Sequence, residues 1–582
     1  MTLHRPRSLQ LASLLTLTAL ASAAPLLVPT TAQACGGTFC DTGPTAMPVD
    51  QTGENILFHI GDNSVEAHIQ IQYDPDSGAE QFAWVIPVMA IPEFEVGSQL
   101  FFDAVLNASV PSYGLSVQTD FCGDQNDGDF GAGDEGGLST GGETGGPDEG
   151  GGDGPTVVLE TTVGAFEIAV LDGGTVDGVM QWLADNGYQQ DPASEPILAE
   201  YLAEDFLFVA MKLGNQAGVD EIHPVVIRYE GVEPCVPIRL TRIAASEDMD
   251  IRVFFLQDAR TVPVNYRHVL VNPLKIDWFN NASNYKEVIS MAVDAQEANG
   301  NAFVTEYAGP SNVIPTWTIF QPQWSSAPFA NYPDSPVGVI EELENQGLMV
   351  CDIEWDTTCS YNHPLLEGVL NEFIPVPDGV DVNAFYDDLA TYADQIDLAA
   401  WDAAAFAARL DERLFLPAQH AVELVEANPY LTRMYTTISP AEMNDDPIFR
   451  INEALDDVPN IRFANQTNHC DGSSTVVLPD GREIVFPDQN NLTWPDFGDE
   501  MPWEEDIDQE NMAENSPLVN LVDNTEEIDK LLNAHNAKTK AQIAGFGSGG
   551  CACSVDDHDT RGGIAFGLAT LALFGLVRRR RG

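Results

Sequence analysis

Positive charge is what this chain has least of. It carries 25 Lys and Arg against 90 Asp and Glu in 582 residues, a formal net charge of −65. Only six of the bases are Lys. A surface this negative repels phosphate, which excludes a general nucleic-acid binder and a body that docks on anionic lipid. Signatures of familiar catalysis are also missing. There is no H-E-x-x-H, no P-loop, no G-x-G-x-x-G opening a helix and no G-x-S-x-G on a strand-to-helix turn. C-x-x-C pairs are absent, so the nine Cys do not read as a zinc framework. No cofactor is expected. What remains is ample material for a core: 44% of residues are apolar and 9% aromatic, which separates the chain from a disordered polyanion.

Both ends carry address-like segments. His4, Arg5 and Arg7 form a basic head, Leu9 to Leu27 is almost wholly apolar, and Ala32-Gln33-Ala34 offers small residues at −3 and −1. This predicts a signal peptide over 1–34, cut after Ala34 by signal peptidase, with Cys35 as the new N-terminus. A Cys after the cut also fits a lipoprotein, although Ala32 and Gln33 match a lipobox poorly. At the other end, Gly562 to Val577 is an apolar run of 16 residues, followed by Arg578, Arg579, Arg580 and Arg581. A permanent span needs roughly 17–25 residues, so the run suits a transient stop with its arginines held on the cytoplasmic side. Upstream lies Gly547-Ser548-Gly549-Gly550-Cys551-Ala552-Cys553. This order of Cys motif, short apolar span and Arg cluster resembles the MYXO-CTERM sorting signal of myxobacterial surface proteins. The resemblance implies cleavage near Cys551 or Cys553 by a sorting protease and display at the outer-membrane surface. The alternative is a plain inner-membrane tail anchor. Between the two ends, residues 35–550 hold 87 acids and 18 bases. A surface so rich in acids and poor in Lys stays hydrated where salt screens ordinary repulsion, so a saline habitat explains it better than an acidic functional patch does.

An exported chain pairs most of its Cys. Cys35 with Cys40 and Cys351 with Cys359 are the shortest closures. Cys122 with Cys235 would then staple the base of an insertion, leaving Cys470 over. That insertion is residues 123–154, where 14 of 32 positions are Gly, nine are acidic and none is basic. It cannot bury enough surface to fold and reads as a disordered loop. Asp124-Gln125-Asn126-Asp127-Gly128-Asp129 looks like a calcium loop, but its Gly falls one place early for an EF-hand, and a solvated linker is the simpler reading.

The fold class expected for the mature chain is α+β. An antiparallel, β-rich body with inserted helices spans 35–300, and a more helical part with a terminal hairpin spans 301–486. An acidic tether (487–550) and the sorting segment (551–582) follow. In Val65 to Tyr73 the odd positions are apolar and the even ones polar, the period of a strand with one wet face. Phe82 to Ile86 is apolar on both faces and reads as a central strand ended by Pro87. Ser98 is placed to cap a helix. Strands are expected at 156–170, 206–213, 222–229, 236–243 and 251–256, with helices near 175–186 and 194–204. Phe385, Leu389, Tyr392 and Ile396 share a helical face, Trp401 to Leu416 is Ala-rich, and 475–486 reads as a hairpin through Pro479-Asp480-Gly481.

Several blocks of this body resemble one known family. They are Cys35-Gly36-Gly37-Thr38-Phe39-Cys40, Val49-Asp50-Gln51-Thr52-Gly53-Glu54 and Phe82-Ala83-Trp84-Val85-Ile86-Pro87. Val163-Gly164-Ala165-Phe166, Trp182-Leu183, Pro237-Ile238-Arg239-Leu240 and Tyr430-Leu431-Thr432-Arg433-Met434-Tyr435 continue the pattern. Together they are similar to the bacterial family called domain of unknown function 2330, over about residues 35–480. The resemblance implies no activity and carries over no catalytic residue.

Chemistry must then be sought in clusters. His59 and His68, on adjacent strands beside Glu54 and Glu66, are the best metal or base candidates, and two solvated histidines on a wet face are the simpler reading. Glu54 reads as a turn or cap residue with a buried acid as the alternative. Asp445-Asp446 and Glu442 read as a surface turn. His469-Cys470 reads better as a histidine beside a paired Cys than as a nucleophile pair. The leading function is therefore an exported, envelope-anchored surface protein that binds or scaffolds, with an unknown ligand and a membrane-associated C-terminal segment. The alternative is an exported hydrolase whose site draws on distant residues.

Overall fold

The structure is a computed structural model. It describes residues 51–547 apart from 62, 74–82, 122–153, 189–191, 193, 215–221, 232, 233, 235, 244, 353–357, 512 and 514. The signal segment, the Gly-rich insertion, the sorting segment and Cys35, Cys40, Cys122, Cys235, Cys551 and Cys553 lie outside the described residues.

The α+β class holds. A ten-stranded sheet runs in the order Val519–Asp523, Glu504–Gln509, Arg267–Val271, Ala302–Pro310, Tyr430–Ile438, Ala245–Gln257, Gln51–Ile60, Ser64–Tyr73, Val225–Glu230, Glu93–Val96. Most neighbours are antiparallel. Gln51–Ile60 runs parallel to Ala245–Gln257, and Arg267–Val271 parallel to Ala302–Pro310. Strands from both sides of residue 300 therefore share one sheet.

Alternation along each strand decides what the two faces meet. Ile56, Phe58, Val65, Ala67, Ile69, Ile251, Val253 and Phe255 point to one face. There they pack on a four-stranded sheet ordered Ala83–Val88, Leu207–Leu213, Phe166–Asp172, Thr156–Val163. Leu57, Phe254, Leu256 and Leu431 point to the other face, under the helices Gln99–Ser109 and Leu416–Ala427. The first of these starts where expected, with Ser98 Oγ accepting from the Phe101 N–H.

Four expectations are revised. The polar face of Ser64–Tyr73 is not wet, because the two helices cover it: Glu66 is 8% exposed and His68 1%. Ala83–Val88 lies at the edge of its sheet, not at its centre, and an edge is where the missing N–H of Pro87 does no harm. Residues 238–241 form a short helix, not a strand. Pro237 precedes its first turn, and Arg239 is held by Asp446 and Glu204. An alternation only a few residues long cannot separate the two periods. Finally, part of the acidic tether is docked. Glu504–Gln509 and Val519–Asp523 extend the main sheet, and Ile528 and Leu532 of the Thr525–Gly547 helix are buried against it.

Candidate functional site

On the helix-covered face, Leu57 lies opposite His68 and His59 opposite Glu66, so these side chains share one side of the sheet. Arg228 lies opposite Glu66 on the next strand. The fourth member, His420, descends from the Leu416–Ala427 helix, 354 residues from Glu66.

The placement of His420 has a local cause. A π-helical turn, Asp411–Phe415, separates the Ala403–Leu410 helix from Leu416–Ala427, and the Leu416 N–H reaches back to the Asp411 carbonyl. Pro417 follows at once. In an unbroken α-helix its ring would crowd the Arg413 carbonyl and donate nothing to it, and the wider turn relieves that conflict. One extra residue rotates everything downstream by about 100°. That rotation fixes which face of the helix His420 occupies.

Glu66 Oε1 lies 2.7 Å from His68 Nε2 and 2.5 Å from His420 Nε2. Its second oxygen, Oε2, accepts from Arg228 Nε at 2.8 Å, and Arg228 Nη1 is 2.6 Å from Glu95 Oε1. Arg228 Nη2 lies 3.0 Å from His420 Nε2. The two imidazoles are stacked at 5.9 Å, nearly parallel, and Phe101 meets His68 edge-on. Burial works against the Glu66 charge, but hydrogen bonds from His420 and His68 outweigh it and hold the carboxyl well below the usual range. Burial pushes His68 the other way from a charged imidazolium, below its ordinary value, and the Glu66 hydrogen bond only partly offsets this. Glu66 is thus ionised and His68 neutral near pH 7. Among the described residues, Glu66, His68 and His420 are the group whose ligand atoms come within 4.8 Å of one another.

Other candidates are placed elsewhere. His59 is half-buried, with Nδ1 3.3 Å from the Leu256 carbonyl, and it does not join the cluster. Glu54 faces the opposite side of the sheet from His68, so the two do not form one site. It is fully buried, neither carboxyl oxygen has a hydrogen-bond partner, and burial pushes its pKa up to about 7. The buried-acid alternative for Glu54 is therefore the one realised. Asp446 is not a surface residue either. Tyr201 Oη donates to it at 2.7 Å and Arg239 Nε at 2.9 Å, while the Arg239 guanidinium stacks on Tyr201. Cys351 and Cys359 form a disulfide. Cys470, left over when the other Cys are paired by spacing, is disulfide-bonded, in line with its reading as a paired Cys beside His469, which removes it as a nucleophile. Its neighbour His469 bridges Asp120 and Thr475, each at 2.8 Å.

A cavity lined by Ile56, Phe58, Ala67, Ile69, Ile86 and Met89 holds about 20 Å³, room for one water at most. It lies on the sandwich face, away from the histidines. His420 escaped sequence reasoning because nothing local ties it to Glu66. The one available signal was Pro417, inside an Ala-rich helical stretch.

No curated relative matches the chain. Solved structures similar to it include baculovirus P35, at 9% identity and TM-score 0.21, covering 38% of this chain and 75% of that one. A mutated baculovirus P35 after caspase cleavage is similar at 7% identity and TM-score 0.21, with 38% and 78% covered. A family model described as "Uncharacterized protein conserved in bacteria (DUF2330)" matches residues 29–320. The match takes in the blocks from Cys35 to Leu240 and stops short of Tyr430 to Tyr435, so it is narrower than the motifs suggest. With just over half of its length matched, the chain belongs to the bacterial family of domain of unknown function 2330.

Proposed function

We propose that this protein is exported and displayed on the cell envelope, where its rigid α+β body serves a binding or scaffolding role. The observation that carries the reading is the order of the C-terminal elements: Cys551 and Cys553, an apolar run too short for a comfortable span, and Arg578 to Arg581. The apolar N-terminal segment ending in Ala32-Gln33-Ala34 supports it, as does the Cys351–Cys359 disulfide, since such bonds persist in oxidising compartments. The body itself favours binding over hydrolysis. Glu54 and His68 lie on opposite faces of the sheet, so the carboxylate and imidazole expected to make a hydrolytic site do not meet.

In this reading signal peptidase releases Cys35 and a sorting protease cuts near Cys551, passing the body to the outer surface. Replacing Cys551 and Cys553 with Ala tests it. Full-length protein should then accumulate with inner-membrane markers, still carrying Arg578 to Arg581. Normal surface display of the double variant would contradict the reading.

A further inference from the structure

We propose that Glu66, His68 and His420 form a binding site for a divalent transition ion of the zinc type. The donors are one carboxylate oxygen and two imidazole nitrogens, the N/O set that zinc takes in three-ligand sites with a fourth position left open. Their atoms already converge. Glu66 Oε1 lies between the two Nε2 atoms, at 2.7 and 2.5 Å. Tetrahedral zinc with bonds near 2.0–2.1 Å separates its ligands by about 3.3 Å, so the triad must open by about 0.7 Å. Of the three, His420 is best placed to yield. Its side chain is 31% exposed, against 1% for His68 and 11% for Glu66. The same side provides entry for the ion and room for the open position.

The surroundings supply the outer support that metal sites use. Arg228 holds Glu66 Oε2 and so leaves Oε1 for the ion, while Glu95 neutralises Arg228. Glu66, Glu95 and Arg228 together leave one negative charge for the ion to offset. Binding would end the contact between Arg228 Nη2 and His420 Nε2. The arrangement also limits affinity. His68 Nδ1 is buried without a hydrogen-bond partner, so the metal-bound tautomer would leave its N–H unsatisfied. A missing partner of this kind costs about 10–100-fold in affinity. Two imidazoles favour Zn²⁺, Ni²⁺ or Cu²⁺ over Mg²⁺ and Ca²⁺, which take oxygen ligands.

The test is zinc titration of the chelator-stripped full chain against a chromophoric competitor, beside the His420→Ala and His59→Ala variants. Wild type and His59→Ala should bind zinc alike, and His420→Ala should bind it about 30-fold more weakly or worse. Zinc should raise the melting temperature of wild type but not of His420→Ala, and equal magnesium or calcium should not reproduce the shift. Should His420→Ala fail to fold, wild type alone decides the matter. Zinc should then protect His420, and not His59, from diethyl pyrocarbonate, read by peptide mass. Equal zinc affinity with and without the His420 imidazole, or no protection of His420 by saturating zinc, would overturn the site and show the triad to be a hydrogen-bonded cluster only. Neither result bears on where the protein is displayed.

Discussion

Glu54 gives the sharpest energetic test of the fold. It points into the interface between the two sheets with Ile56 and Phe58 and is 0% exposed, and its carboxyl oxygens have no hydrogen-bond partner. Burial alone raises its pKa from an ordinary 4.5 to about 7. The folded protein therefore holds a proton here that the unfolded chain gives up above 4.5. Between those values the folded state binds more protons, so stability falls as pH rises from about 4.5 to about 7 and then levels off. The difference corresponds to about 3 kcal/mol as an upper bound. Buried histidines oppose this trend over part of the range. His223 and His268 are depressed to about 4, and His363 to about 3, by burial first. They withdraw stability as pH falls below 6.5. The comparison that cancels them is wild type against Glu54→Gln, which keeps the shape and removes the titration. Urea unfolding from pH 4.5 to pH 9 should show the two proteins close at the acid end. The variant should gain about 1–3 kcal/mol over wild type by pH 8. Parallel profiles across the range would refute the claim that Glu54 is a buried neutral acid.

Two further positions test supports elsewhere in the fold. Gly164 sits at φ +56° in the turn between Thr156–Val163 and Phe166–Asp172, and a Cβ there would lie 2.0 Å from His223 Nε2, the acceptor of the Ala165 N–H. Gly164→Ala should therefore cost clearly more than the ~1–2 kcal/mol of Gly472→Ala, where φ is +87° but nothing lies within 4 Å. Equal losses in thermal melts would dismiss the His223 contact as a constraint. Arg433 and Glu306 pair at 2.5 Å with side chains 4% and 1% exposed. Arg433→Met should cost ~3–5 kcal/mol by stranding the carboxylate, and adding Glu306→Leu should recover part of that loss; a double variant no more stable than the single would contradict this.

Much of the fold was legible because it follows from local period and capping. The alternation of Val65, Ala67 and Ile69 predicted the strand, and Ser98 predicted the start of its helix. What alternation leaves open is what lies on the polar side. Glu66 and His68 look like solvent-facing residues until two helices remote in sequence are laid over them. The same long-range pairing hid His420 and the Arg239–Asp446 bond, 207 residues apart. Acidity misled in a different way. The stretch from Asp496 to Glu514 has the composition of a solvated tether, yet Ile507 and the carboxylate of Glu510 are buried, the latter held by Arg450 and Asn452. In a chain this acidic, composition reports the solvent side of a segment and says little about its inner side.

The central claim, display after removal of both end segments, is tested most directly by the intact mass of the wild-type protein recovered from fractionated envelopes. A species that begins at Cys35, ends near Cys551 and lacks Arg578 to Arg581 should be found with outer-membrane markers. A protein still ending at Gly582 and sedimenting with the inner membrane would contradict it and leave a plain tail anchor in its place.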